Sequence, residues 1–122
     1  MNHEKIIQLL LDRGADVDAQ GGSYGNALEA TSYSGRDKIA QLLLDKGADV
    51  NGQGESYGNA LQAASNSSHD KTVQLLLDKR ADVNGQGGSY GNALQAASSG
   101  GHNKIVQLLL NKGVDVHAQG AH

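Results

Sequence analysis

The sequence predicts an all-α solenoid of stacked antiparallel helix pairs, and three observations predict it. First, one pattern recurs every 33 residues: Tyr24, Tyr57 and Tyr90 are one period apart, as are Asp16, Asp49, Asp82 and Asp115, and Leu9, Leu42, Leu75 and Leu108. A fixed period of that length marks units that bury their apolar faces only against their neighbours. Second, each block carries apolar residues at helical spacing and closes on a glycine or its equivalent. Third, the 122 residues include no Phe, Trp, Pro or Cys, and Met occurs only at the start. The interior must then be Leu, Ile, Val and Ala, which suits thin, closely packed helical layers.

Residues 1–20 read as half a unit. Asn2 to Leu11 is a second helix with no first helix before it. Full units follow at 21–53, 54–86 and 87–119, so that 1–122 forms one repeat domain. The last unit shows the logic. Asn92 is placed to cap a short helix, its side-chain oxygen accepting from a first-turn N–H. That helix runs to about Ser99 and stops at Gly100-Gly101, where left-handed backbone costs little. His102-Asn103 opens a second helix whose Ile105, Val106, Leu108, Leu109 and Leu110 spread over a broad apolar face, and Gly113 ends it. The stretch from Val114 to Gln119 leads out of the unit; its earlier counterparts flow into glycine-rich turns ending in Tyr24, Tyr57 or Tyr90. Ile39, Leu42 and Leu43 and their counterparts are expected to be core.

Helix, turn, helix, Gly stop and glycine-rich β-turn finger at this period resemble the ankyrin repeat. Where that family has Thr-Pro-Leu-His, the chain has Asn26-Ala27-Leu28-Glu29, Asn59-Ala60-Leu61-Gln62 and Asn92-Ala93-Leu94-Gln95. The family's Gly-His before the second helix is similar to Ser68-His69 and Gly101-His102, and is Gly35-Arg36 in the first full unit. Leu42 to Asn51 and Leu75 to Asn84 match the family's Leu-Leu-Leu-x-x-Gly-Ala-Asp-Val-Asn, with Arg80 in place of Gly. The family's motif His hydrogen-bonds near the turn; Gln62 and Gln95 are able to make such a bond, whereas Glu29 brings a charge. The Asn-Ala-Leu-Gln variant in near-identical copies is similar to the ankyrin tails of large fungal proteins of the NLR type. The resemblance implies an intracellular, cytoplasmic protein-binding scaffold without catalysis.

The composition excludes several other classes. Net charge is −3, with cations and acids interspersed, so no basic face points to nucleic acid. No apolar run approaches about 18 residues, so no membrane partner is expected. Gly52-Gln53-Gly54 and Gly85-Gln86-Gly87 begin a phosphate-loop pattern, but Tyr57 and Tyr90 stand where a third Gly belongs and no Lys-Ser/Thr follows. Asp49-Asn51-Gln53 and Asp82-Asn84-Gln86 space oxygens as a calcium loop does, but the position of its bidentate Glu is Ala60 or Ala93; bonding to turn backbone explains them better. His69 and His102 lie a helix-packing distance of about 10 Å apart, too far for one metal, and are read as structural groups at helix N-termini. No catalytic residue, metal site or cofactor is expected.

Tyr24, Tyr57 and Tyr90 are expected to line up along one edge of the stack. Each ring either meets a partner or packs over the next turn and stiffens the array. Differences between units concentrate at Tyr33-Ser34-Gly35-Arg36 and its counterparts, at Glu29 against Gln62 and Gln95, and at Glu55 against glycine. With the first helices and turn tips forming a concave groove, as the resemblance implies, Tyr24, Glu29, Tyr33, Glu55, Tyr57, Gln62, Tyr90 and Gln95 are the candidate protein-binding residues; Tyr33 serves equally well as a cover for its inter-helix loop. Neither end carries the polar substitutions of a capping unit. The chain is therefore expected to be a segment of a longer array or, alternatively, to form homo-oligomers by end-to-end stacking.

Overall fold

The computed structural model describes residues 3–19, 26–54, 58–88 and 91–113. Among them are seven helices: α1 (His3–Asp12), α2 (Ala27–Tyr33), α3 (Asp37–Asp45), α4 (Ala60–Asn66), α5 (Asp70–Asp78), α6 (Ala93–Ser99) and α7 (Asn103–Asn111). No strand occurs among the described residues; Gly87 and Gly91 form an isolated antiparallel bridge. The short helices α2, α4 and α6 stack as one layer and the longer α1, α3, α5 and α7 as a second, each short helix packing on the longer one that follows it. This is an all-α repeat solenoid.

Asparagine opens each short helix. Asn26, Asn59 and Asn92 hold extended backbone, and their side chains accept the N–H of Glu29, Gln62 and Gln95 at 2.9, 2.8 and 2.8 Å. That bond satisfies a first-turn donor which would otherwise be orphaned. Seven residues cannot hold a helix in water unaided, so packing must supply the rest. In α4, flanked on both sides, every residue from Ala60 to Ser65 is buried. Small side chains permit such close stacking, with Ala63, Ala64, Ala96 and Ala97 fully covered.

The longer helices bury narrower stripes: Ile39 and Leu43 in α3, Val73, Leu76 and Leu77 in α5, Ile105 and Leu109 in α7. Leu42, Leu75 and Leu108, expected as core, are half-buried. They lie at the edge of the apolar stripe, where water reaches one side. Thr72 interrupts the column of Ile39 and Ile105. It is fully buried, and its hydroxyl donates to the Asp37 carboxylate one unit earlier, so the polar group in the core is satisfied.

The same closing motif recurs after α1 to α6. After α3, the Ala48 N–H reaches the Leu43 carbonyl at 3.0 Å and the Gly47 N–H the Leu44 carbonyl at 3.1 Å. This geometry requires one left-handed residue. Gly14, Gly35, Gly47 and Gly101 provide it, but Ser68 (φ 64°) and Arg80 (φ 69°) adopt it as well. Of the expected pair Gly100-Gly101, only Gly101 is left-handed.

Between units, the segments leading into the fingers are tied by a polar rail. The Asp49 N–H donates to Asp18 Oδ1 at 2.9 Å and the Asp82 N–H to Asn51 Oδ1 at 2.7 Å. Asp16, Asp49 and Asp82 each also accept the N–H two residues on, as in an Asx turn. Of the side-chain oxygens weighed as calcium ligands, those of Asp49, Asn51 and Asp82 bond backbone here.

Candidate protein-binding surface

Four of the eight candidate residues, Tyr24, Glu55, Tyr57 and Tyr90, lie outside the described residues. Tyr33 closes α2 and Gln95 sits in the first turn of α6, both half-buried. Glu29 and Gln62 correct the expectation. Each is only 1% exposed, so neither presents its side chain to a partner on this face. The reason is positional: the third helical residue points along the stack, into the finger of the next unit.

Gln62 shows what that position does. Its Oε1 accepts the Asn59 N–H at 3.0 Å while the Asn59 side chain accepts the Gln62 N–H, closing a reciprocal capping box. Its Nε2 donates to the Gly87 carbonyl at 2.6 Å. One amide therefore closes its own cap and fastens the next finger, the bond anticipated from the family's motif His. Gln95 keeps the cap bond to Asn92, while its buried Oε1 has no partner among the described residues.

Glu29 occupies the same place one unit earlier and behaves differently. Both carboxyl oxygens are buried without a hydrogen-bond partner among the described residues. They press on Gly54, where an added Cβ would run into both of them. Burial pushes the carboxyl up from 4.5 to about 7; the Asn26 backbone N–H pulls it part of the way back.

Two further contacts between units were not legible in advance. Neither His69 nor His102 caps its own helix. His102 instead donates its Nε2–H to the Asn66 carbonyl of the preceding unit at 3.0 Å, and the His69 ring lies where a Cβ on Gly35 would have to be. The outer layer adds Lys46–Asp12 at 3.0 Å and Lys104–Asp70 at 2.9 Å, both pairs solvent-facing. Only the recurrence of these residues at offsets near the period hinted at such pairings.

What remains accessible is finger and rim. Asp49, Asn51, Gln53, Asp82 and Gln86 are exposed along the fingers, and Ser98 and Ser99 on α6. Two hollows accompany them. One of about 240 Å³ is of mixed character, lined by Ser68, Asp70, Gly101, His102, Asn103, Lys104 and Ile105. The other, about 180 Å³, is apolar and lies between α1 and the start of α2, lined by Ile7, Leu10, Leu11, Val17, Ala27 and Leu43. Beside it Ile6, Leu9 and Leu10 on α1 are 41%, 45% and 55% exposed, and Leu110 on α7 is 41% exposed. Among the described residues no three His, Asp or Glu side chains converge as a metal site. No helix there is long and apolar enough to cross a membrane.

No curated protein matches the chain. A family model described as ankyrin repeats (3 copies) matches residues 31–120, and a second, described as ankyrin repeat, matches residues 1–22. With most of its length matched and the paired helices in the two layers described above, the chain belongs to the ankyrin repeat family.

Proposed function

We propose that the chain is a protein-binding scaffold, a segment of a larger intracellular protein, that grips its partner along the fingers and the concave face. The observation that carries this reading is the division of labour between columns. The Ala and Leu columns are consumed inside the stack, whereas polar finger residues (Asp49, Asn51, Gln53, Asp82 and Gln86) and the end of α6 at Ser98 and Ser99 stay accessible. Ankyrin repeats generally mediate protein–protein interaction, which supports the same assignment. Tyr24, Tyr33, Glu55, Tyr57, Tyr90 and Gln95 are the proposed contacts; Glu29 and Gln62 act through the joints they hold. The likeness to fungal NLR-type tails makes ligand sensing at the end of a signalling protein the setting we favour.

No catalytic role is assigned. Glu29, whose carboxyl burial shifts most, presses on backbone and lines neither hollow. A second reading, end-to-end self-association, is favoured by the apolar side chains exposed on α1 and α7 at the two ends of the described stack. Affinity capture from a lysate of the source organism separates the two. The comparison bait carries Tyr24, Tyr33, Glu55, Tyr57 and Tyr90 all changed to Ala. A foreign protein retained by the native bait and lost by the mutant supports recognition. Recovery of only the chain itself, equally on both baits, favours stacking.

A further inference from the structure

We propose that Glu29 is a pH-sensitive latch between α2 and the following finger, fastened when its carboxyl is protonated and released when it ionises. The geometry comes from the neighbouring joint. Gln62 accepts from the Asn59 N–H and donates to the Gly87 carbonyl. Glu29 and Gly54 stand one period earlier, with both carboxyl oxygens packed where a Cβ on Gly54 would be. A carboxylic acid carries both an acceptor and an O–H donor, as the amide does. A carboxylate has no donor. Ionised, it would leave an unpaired negative charge in a buried site.

Among the described residues no rescue for the anion is at hand. The Gly54 N–H is spent on the Gly58 carbonyl. Helix α4, packed on α2, contains no titratable residue from Ala60 to Asn66. On α3, Lys38 is exposed, Asp37 is engaged by Thr72, and Asp45 by Gln41. In the segment before Gly54, Asp49 is exposed and accepts the Asn51 N–H. No described cation faces Glu29. Protonation is the remaining way to satisfy the site.

The sign follows from linkage. A carboxyl raised from 4.5 to about 7 holds its proton more tightly in the folded chain than in the unfolded one. Its stabilisation is therefore complete below 4.5 and is lost as pH rises through about 7. Across that window the joint loosens. The joint behaves this way whether or not the face above it binds a partner.

The direct test is an NMR titration of the Glu29 side-chain carboxyl in the full chain. A midpoint near 7 is expected; one in the ordinary glutamate range, at or below about 4.5, overturns the latch. The complementary test compares urea midpoints of the native chain and Glu29→Gln from about pH 5 to about pH 8. The native midpoint should fall relative to the variant as pH rises, with Glu29→Gln the more resistant at the alkaline end. Parallel curves overturn the proposal, because the difference between the two chains isolates this one carboxyl from every other titrating group.

Discussion

The joint between α2 and α4 and the joint between α4 and α6 share a backbone plan but not a fastening. At the second, the Gln62 amide spans its own cap and the Gly87 carbonyl, and His102 reaches back to Asn66. At the first, Glu29 presses an unpartnered carboxyl on Gly54, and the His69 ring packs where Gly35 leaves room. The outer layers differ in the opposite sense. Across the first joint, buried Thr72 donates to Asp37; across the second, Ile105 fills the Thr72 position and Asp70 turns outward to Lys104. Polar side chains thus set how firmly neighbouring units are joined, while the Ala and Leu columns set the shape. A repeat array can change the strength of one joint without changing its geometry.

The shared part of the plan should be the costliest to disturb. Leu76 in α5 is fully buried, and α5 packs on both α3 and α7. Leu76→Ala should destabilise the chain by about 2–5 kcal/mol, read from urea unfolding. Leu75→Ala should cost distinctly less, because Leu75 is half-buried. Equal costs would mean that the core extends to the rim of the helix.

The next largest effect is expected from exchanging the two fastenings. At about pH 8, Glu29→Gln should stabilise the chain by about 1–3 kcal/mol, bounded by the distance from 4.5 to about 7. Gln62→Glu should destabilise by a similar amount and make the second joint weaken with rising pH. The double exchange tests the comparison most sharply: stability should return near the native value, with the pH-sensitive joint moved one unit along. A double variant as stable as Glu29→Gln alone would show that the Gly87 contact contributes little.

Much of this architecture was legible in the sequence because it repeats. The helix pairs, the asparagine caps and the all-Leu/Ala interior follow from period, spacing and the absence of large aromatics. The capacity of Gln62 for a turn bond, and the charge that Glu29 brings instead, were legible as well. Their burial was not, since a single repeat read alone gives no view of the finger that covers it. The same blindness hid Thr72–Asp37 and His102–Asn66, whose partners sit 35 and 36 residues apart. Periodicity aligns like with like, but packing joins residues slightly out of register with it. It also overstated the core at Leu42, Leu75 and Leu108, because heptad-like patterns mark a face without marking its edge.

Smaller gains should come from backbone. Ser68 and Arg80 hold φ values of 64° and 69°, where neighbouring units use glycine. A residue with Cβ is disfavoured there by about 1–2 kcal/mol, partly offset by the extra freedom glycine has when unfolded. Ser68→Gly and Arg80→Gly should each raise stability by about 0.5–1 kcal/mol in thermal or urea unfolding. Because the two sites flank α5 on either side, the gains should add.

The smallest effect belongs to the outer ion pair at the second joint. Lys104 Nζ sits 2.9 Å from Asp70 Oδ2, with the two side chains 78% and 41% exposed. The hydrogen bond from Lys104, reinforced by its charge, holds the Asp70 carboxyl below the ordinary aspartate value. Any stabilisation it lends is present above that value and fades as pH falls below it. In water, two long side chains lose freedom to form such a pair and salt screens what they gain. Lys104→Ala should therefore leave the urea midpoint unmoved at neutral pH, in low salt and high salt alike. A loss comparable to that of Gln62→Glu would place the strength of the second joint in the outer layer, and the contrast between Gln62 and Glu29 would then be secondary to it.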